Sequence, residues 1–518
     1  MMSKNIAVLA CLFLTACMVG PDYKEPQINT PKHWAKKDKS VKEKEFKQDK
    51  WWDVFDDPNL TQLIYHGYHN NLTLHMAGMR ILQARAQLAK SVGGLYPQLQ
   101  TMNGNYLNYR IGGSYLQDVL PSGFDAALLG FSANWETDFW GKFRRSVRSR
   151  DASFLSSVAA YDQALVSLIS DIAHTYIGFR GSESLIRITQ QNITLQETSL
   201  ALTMSRYQAG AASLRDVEEA KTQLAETKAR LPELISQQQI QKDALAVLLG
   251  MVPNDIEALL HQHHGIPKAP EAVEVGIPRE MLIRRPDVRQ ARFDAIMHSE
   301  TIGATKAELF PAFSLSGSFY FAGNTISGAT LSEMFNWSNR NTTIGPGLNW
   351  PILNYGQITN MVRTQDALFQ EKLLHYQNII LIAQQEVQDN ITRYTETKKA
   401  VKHYEDAVRA AMKATQLTLI QYKEGETGYT SVLYAQQQQF YTQTALVNAR
   451  AELPKSLVNL YRALGGGWQI RENHDYIPET IKRDMAKRTN WGKLLLQQNH
   501  EVPETKYAQF KTLYFPTW

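Results

Sequence analysis

The chain has 518 residues, 55 basic against 50 acidic side chains for a net charge of +5, and 43% hydrophobic content; its mean hydropathy is -0.35. This balance fits a largely water-exposed protein with interspersed charges, and it offers no concentrated basic stripe for nucleic acid. Only two cysteines occur, Cys11 and Cys17, which leaves no disulfide framework or thiolate metal site once the first departs with a leader.

Lys4 precedes an apolar run from Ile6 to Leu14 that ends in Leu14-Thr15-Ala16-Cys17. The run is too short to span a bilayer and reads as a secretory signal over residues 1–16. Residues 17–50 are Pro-dotted and Lys-rich without a readable period, the pattern of an extended tether. Trp51-Trp52 opens an ordered region. Residues 61–94 read as one helix, with Leu63, Ile64, Leu72, Leu74, Ile81 and Leu88 on a broad apolar face and Gly93-Gly94 at its end.

Between Pro97 and Gly141 the period falls to two. Phe131, Ala133, Trp135 and Phe139 point one way and Ser132, Asn134, Glu136 and Asp138 the other, which predicts a β-hairpin over 98–139 between an apolar and a polar medium. A helical hairpin follows: a long arm over 142–207, a Tyr207-x-x-Gly210 turn and a return arm over 214–249, closing a first unit of 51–250. At about 1.5 Å per residue the long arm reaches roughly 100 Å, a rod rather than a packing helix. Pro253, Pro267, Pro270 and Pro278 mark 251–285 as a linker near the middle of that rod.

Shifted by 215 positions, the pattern recurs. Phe154, Val158, Tyr161, Leu165, Ile172 and Phe179 become Phe369, Leu373, Tyr376, Ile380, Val387 and Tyr394. Gly141, Gly210 and Gly250 become Gly356, Gly425 and Gly465. This is an internal duplication. The second unit, 286–465, contains a helix over 286–308, a β-hairpin over 312–353, a long arm over 357–422 and a return arm over 430–464. A tail over 466–518 carries Trp491, Tyr507, Tyr514, Phe515 and Trp518, aromatics that suggest docking.

The fold class is therefore mainly α with a membrane β-barrel, built from duplicated long helical hairpins and four strands. Four strands cannot close such a barrel alone, because single-chain barrels begin at about eight and open edges in hydrocarbon are too costly. Either the sheet is soluble and covered, or several chains share one barrel; the apolar and aromatic row opposite a Ser/Thr/Asn row favours the shared barrel. Enzyme chemistry lacks a phosphate loop, nucleophile elbow or catalytic dyad. His261-x-His263-His264 is the one ligand-like cluster, and no helical spacing frames it. Neither cofactor nor metal is expected.

Several motifs now combine: the lipobox ending at Cys17 with Gly20-Pro21-Asp22-Tyr23, Trp52 with Phe55-x-Asp57-Pro58-x-Leu60, Arg285-Pro286-Asp287-Val288, Phe310-Pro311 and both Tyr-x-x-Gly turns. Together, over nearly the whole mature chain, they resemble the outer membrane factor (TolC-like) family, in its OprM/NodT-type lipoprotein branch. The resemblance implies a homotrimer with a twelve-stranded outer membrane barrel and a twelve-helix periplasmic tunnel. It implies a passive exit duct for small molecules, fed by an inner membrane pump through a periplasmic adaptor protein. Type I protein secretion, or a lipid-anchored coiled-coil scaffold without a pore, are the alternatives.

Residue by residue, the resemblance implies lipidation of Cys17, with Met18 rather than Asp after it directing the chain to outer membrane lipid. Adaptor contacts fall at the tips Gly210, Ala211 and Ala212 and at Gly425, Glu426 and Thr427. The family's acidic gate positions correspond to Ser431 and Tyr434. In place of a carboxylate ring, Tyr422, Tyr429 and Tyr434 can form an aromatic constriction, or pack within the rod. Asp216 matches an acidic tip position that pairs with a basic residue in some relatives. Thr427 cannot supply that charge, which leaves Lys423 for a tether.

Overall fold

A computed structural model describes residues 18–27, 33–34, 40–43, 49–110, 112, 121–260, 265–276, 278–326 and 329–496. The chain begins with a docked strap that includes β1 (Val41–Lys42). Asp57 then caps α1 (Pro58–Asn70), its carboxylate accepting the N–H groups of Asn59 at 3.0 Å and Leu60 at 3.1 Å. The single helix expected over 61–94 is broken at Asn71. Its extended backbone and side chain cap α2 (Leu72–Gly93) through Leu74 N–H at 2.8 Å, while its Nδ2 donates to the Leu248 carbonyl at 2.9 Å. An Asx cap interrupts the backbone without disturbing the apolar period, which is why periodicity alone missed it.

Two strands follow, β2 (Leu99–Arg110) and β3 (Gly123–Glu136), before the long arm α3 (Lys142–Gln208) and its return α4 (Leu214–Leu248). The linker contributes β4 (Val273–Glu274) and α5 (Pro278–Arg284). The second unit runs α6 (Pro286–Ala307), β5 (Ala312–Asn324), β6 (Arg340–Asn349), α7 (Gln357–Glu424) and α8 (Tyr429–Ala463). Both long arms are unbroken, at 67 and 68 residues, and both returns have 35. The duplication extends to backbone geometry: Gly141 and Gly356 both have φ 82°, Gly210 and Gly425 have 75° and 86°, and Gly250 and Gly465 have 68° and 71°.

Each long arm is flanked by its return helix toward the tip and by a lead-in helix toward the strands. The lead-in α2 packs on α3, while α6 packs on both α3 and α7 and joins the two units. Beside these helices the core is apolar: Val158, Leu165, Ile169, Ile172 and Tyr176 of α3 are buried against Trp51, Leu60 and Tyr461. Below, the same seam turns polar, with Thr189, Asn192, Gln196, Ser199 and Thr203 buried in its place. Burying amides in place of aliphatic groups forfeits most of the transfer free energy per residue. The tip half of the rod is consequently held by weaker packing than the half near the strands.

The described parts of 17–50 are extended but docked. Asp22 and Glu300 bind the buried Arg145 at 2.9 and 2.8 Å, and Glu25 binds Arg292 at 2.9 Å. β1 pairs in parallel with β4 of the linker. The linker in turn grips the middle of α7, where Tyr394 donates to the Pro270 carbonyl at 2.8 Å and Lys398 meets Glu271 at 2.9 Å. The tail is docked as well: α9 (Glu479–Arg488) follows a turn at Trp468–Arg471, and Arg85 donates to the Leu494 carbonyl at 2.6 Å. Trp491 packs partly buried against the core. Tyr507, Tyr514, Phe515 and Trp518 lie outside the described residues, as do Cys17 and the cluster of His261, His263 and His264.

Candidate functional site: sheet faces and hairpin tips

The four long strands form one antiparallel sheet in the order β2-β3-β5-β6. Register sorts their side chains by polarity. One face carries Met102, Phe131 and Phe319 in one row, with Trp135 opposite Leu315 and Phe313 opposite Leu348 in others. The opposite face carries Thr101, Ser132, Ser318 and Thr343 as a single row across all four strands. Hydroxyl contacts link Thr101 to Ser132 at 2.8 Å and Ser318 to Thr343 at 2.6 Å. Such a sheet separates an apolar medium from water. Its outer strands, β2 and β6, each present an edge with no partner among the described residues.

Both hairpins end short of the expected bounds of 139 and 353. β3 ends at Glu136 rather than continuing to 139, because Asp138 turns to cap α3. Its carboxylate accepts Phe143 N–H at 2.9 Å and Arg144 N–H at 3.0 Å. Phe139 and Asp138 thus leave the alternation, and β6 likewise ends at Asn349, before Trp350 and Ile352. The two units attach sheet to rod identically: Trp135 Nε1 donates to the Leu95 carbonyl at 3.3 Å, and Trp350 Nε1 to the Leu309 carbonyl at 3.1 Å.

At the far end the two tips lie side by side. Ala211 N–H donates to the Arg206 carbonyl at 2.7 Å, and Glu426 N–H to the Gln421 carbonyl at 2.8 Å, a Schellman closure around each glycine. Gly210, Ala211, Gly425 and Glu426 are exposed, while Ala212 and Thr427 are half-buried. At φ 86° the Gly425 backbone strains any L side chain. Gly425→Ala is expected to destabilise the turn by about 1 kcal/mol, read as faster amide exchange across 421–426; unchanged exchange would contradict this.

The aromatic candidates separate. Tyr422 and Tyr429 are each 2% exposed, and they meet edge to face at 5.7 Å between the hairpins, beside Ala220 and Val432. Burial pushes the Tyr429 phenol above its usual range. Both residues belong to packing, which removes them from any constriction. Tyr434 is 70% exposed, and Ser431 is exposed and accepts from Thr427 Oγ1 at 3.0 Å. Asp216 closes a capping box: it accepts Ser213 N–H at 3.0 Å and donates its own N–H to Ser213 Oγ at 3.2 Å. That role, rather than a tether to the other tip, occupies its carboxylate.

The tether is made by a residue that sequence reasoning missed. Arg206 Nη1 donates to the carbonyls of Tyr422 at 2.5 Å and Lys423 at 3.0 Å, with its guanidinium 4.8 Å from the Tyr422 ring. Lys423 thus contributes its carbonyl, whereas charge matching had pointed to its ammonium. The available signal was a cation one turn before Gly210, where unsatisfied helix carbonyls gather.

An open-edged amphipathic sheet at one end of a long helical rod, with closed tips at the other, defines a membrane-embedded channel wall continued by a periplasmic duct. The model of the outer membrane efflux protein family matches residues 63–251 and 277–466, and the chain belongs to that family. Nodulation protein T of Rhizobium leguminosarum bv. viciae is 29% identical over 469 residues, covering 89% of this chain and 93% of that protein. The solvent efflux pump outer membrane protein SrpC of Pseudomonas putida is 27% identical over 494 residues, covering 91% of this chain and 99% of its own. The outer-membrane channel OprN superposes with a TM-score of 0.81 at 29% identity, over 88% of this chain and 100% of that one. The protein is an outer membrane channel, the exit duct of a tripartite efflux system. Its family is one of transport channels, and it resides in the bacterial outer membrane.

Proposed function

We propose that three copies close the β2 and β6 edges against one another into a twelve-stranded barrel, continued by a twelve-helix tunnel, and that the trimer conducts small molecules. The observation that carries this reading is the sheet itself. Its hydroxyl row faces water on one side, its aromatic rows face lipid on the other, and both edges require partners in hydrocarbon. Lipidation of Cys17 fits the strap that follows it. Val19 N–H donates to the Trp140 carbonyl at 3.1 Å, and Met18 lies over Gly141, which sets the residue after Cys17 at the base of the sheet. The exposed tips, Gly210 with Ala211 and Gly425 with Glu426, are the surfaces a periplasmic adaptor would meet, and an inner membrane pump would supply the energy. The solvent pump role in the name of SrpC supports small molecules as cargo.

Two measurements test this. Full-chain protein reconstituted in planar bilayers is expected to give discrete single-channel conductance, which a pore-free scaffold would not. Deletion is expected to raise sensitivity to lipophilic toxic compounds; loss of a secreted protein with unchanged sensitivity would favour protein export instead.

A further inference from the structure

The exposed face of α8 has a chemistry of its own. From Thr427 to Ala449 the chain contains no Asp, Glu, Lys, Arg or His. Within that run Tyr434 and Tyr441 are 70% and 66% exposed. Seven residues on a helix return to within about 20° of the same direction, so the two rings stand on one face, roughly 10 Å apart. Laterally α8 is covered, by α7 on one side and by α3 and α4 on the other. Its tyrosine face therefore looks either into the duct or away from it.

The linker decides which. Pro267 and Ala269 of the linker line a groove with Gln443, Val447 and Arg450 of α8. Gln443 and Arg450 point about 180° and 160° away from Tyr434, so the tyrosines face away from the linker. The linker holds β4, which pairs with β1 of the strap, and the strap starts with Met18 and Val19 at the base of the sheet. A strap lipidated at Cys17, as proposed above, must run outside the barrel. Strap and linker are thus on the outer surface, and Tyr434 and Tyr441 face the lumen.

A charge stands level with them. Gln437 donates to Gln223 of α4 at 2.8 Å, which sets the two return helices side by side. Three residues further along α4 is the exposed Glu226, the counterpart of Tyr441 under the 215-residue repeat. We propose that Tyr434, Tyr441 and Glu226 form a transit site for aromatic organic cations in the tip half of the lumen. The ring faces attract the cation through their quadrupole and offer it apolar contact, and the carboxylate balances its charge. This rests on the duct reading above.

Single-channel recording of the reconstituted full chain, with tetraphenylphosphonium as probe, tests the site. The cation is expected to block the channel, and Tyr441→Ala to weaken that block about tenfold, the scale of one desolvated cation–ring contact. Tyr441→Phe retains the block, because the ring face and not the hydroxyl carries the attraction, and Glu226→Gln weakens it. Tyr441→Cys adds a thiol to a mature chain whose other cysteine is Cys17, and a membrane-impermeant thiol reagent is expected to reduce its conductance. A conducting channel whose block ignores both Tyr434→Ala and Tyr441→Ala, or whose conductance is unmoved by modification at 441, overturns the site alone. Absence of any conductance overturns the duct reading beneath it.

Discussion

Asp162→Ala is expected to destabilise the protein by about 3–5 kcal/mol, the cost of leaving buried charge unpaired. Asp162 is fully buried on α3, where burial pushes its carboxyl up and its hydrogen bonds with Arg471 oppose the shift. Arg471 binds both of its oxygens, through Nε to Oδ1 and through Nη2 to Oδ2 at 3.0 Å, and Arg289 approaches to 3.6 Å. Trp468 lies between the two cations, 4.9 Å from Arg289 and 5.2 Å from Arg471. Without the carboxylate, the Arg471 guanidinium, at 7% exposure, loses the counter-charge that binds it at two atoms. The tail is the element that can leave. Thermal unfolding in detergent should start earlier, and limited proteolysis should cut between Gly466 and Leu496. A tail that stays protected in Asp162→Ala, with an unchanged unfolding midpoint, would refute the assignment of this ion pair as the tail's clasp.

Tyr434→Ala is expected to raise single-channel conductance, because it removes a phenol ring per subunit from the tip half of the lumen. The corresponding changes at Tyr422 and Tyr429 act differently. Each deletes a buried aromatic from the contact between the hairpins, at a cost of about 3–5 kcal/mol, and loosens the tip rather than widening a rigid opening. Tyr434→Ala should accordingly leave the unfolding midpoint near that of the parent chain, while Tyr422→Ala lowers it. Equal conductance in the parent and Tyr434→Ala channels would place this side chain away from the narrow part of the lumen.

The polar seam connects both results to the duct's work. Gln196 and Gln436 are buried on facing helices, and their side-chain amides have no hydrogen-bond partner among the described residues. Unpaired buried amides cost free energy that aliphatic residues would not. The tip half, where this seam is polar, is therefore expected to lose helix packing before the apolar core near the sheet.

Much of this architecture was legible in the sequence because it is local and repeated. A fall in apolar period from a helical turn to two marked the strands, a run without Gly or Pro between Gly356 and Gly425 marked one arm, and an offset of 215 across the helical hairpins carried it to the other. Those signals reflect backbone geometry, which neighbouring residues largely decide. Contacts between distant segments left no such trace. Asp162 and Arg471 are 309 residues apart, and nothing in either neighbourhood names the other. Asp138 and Phe139 continued the strand alternation on paper, yet the carboxylate gained more by capping α3. Tyr422, Tyr429 and Tyr434 are one residue type within a single hairpin. Only the position of a second hairpin decided which rings were buried between helices and which one was left facing open space, because burial is set by what packs opposite a side chain.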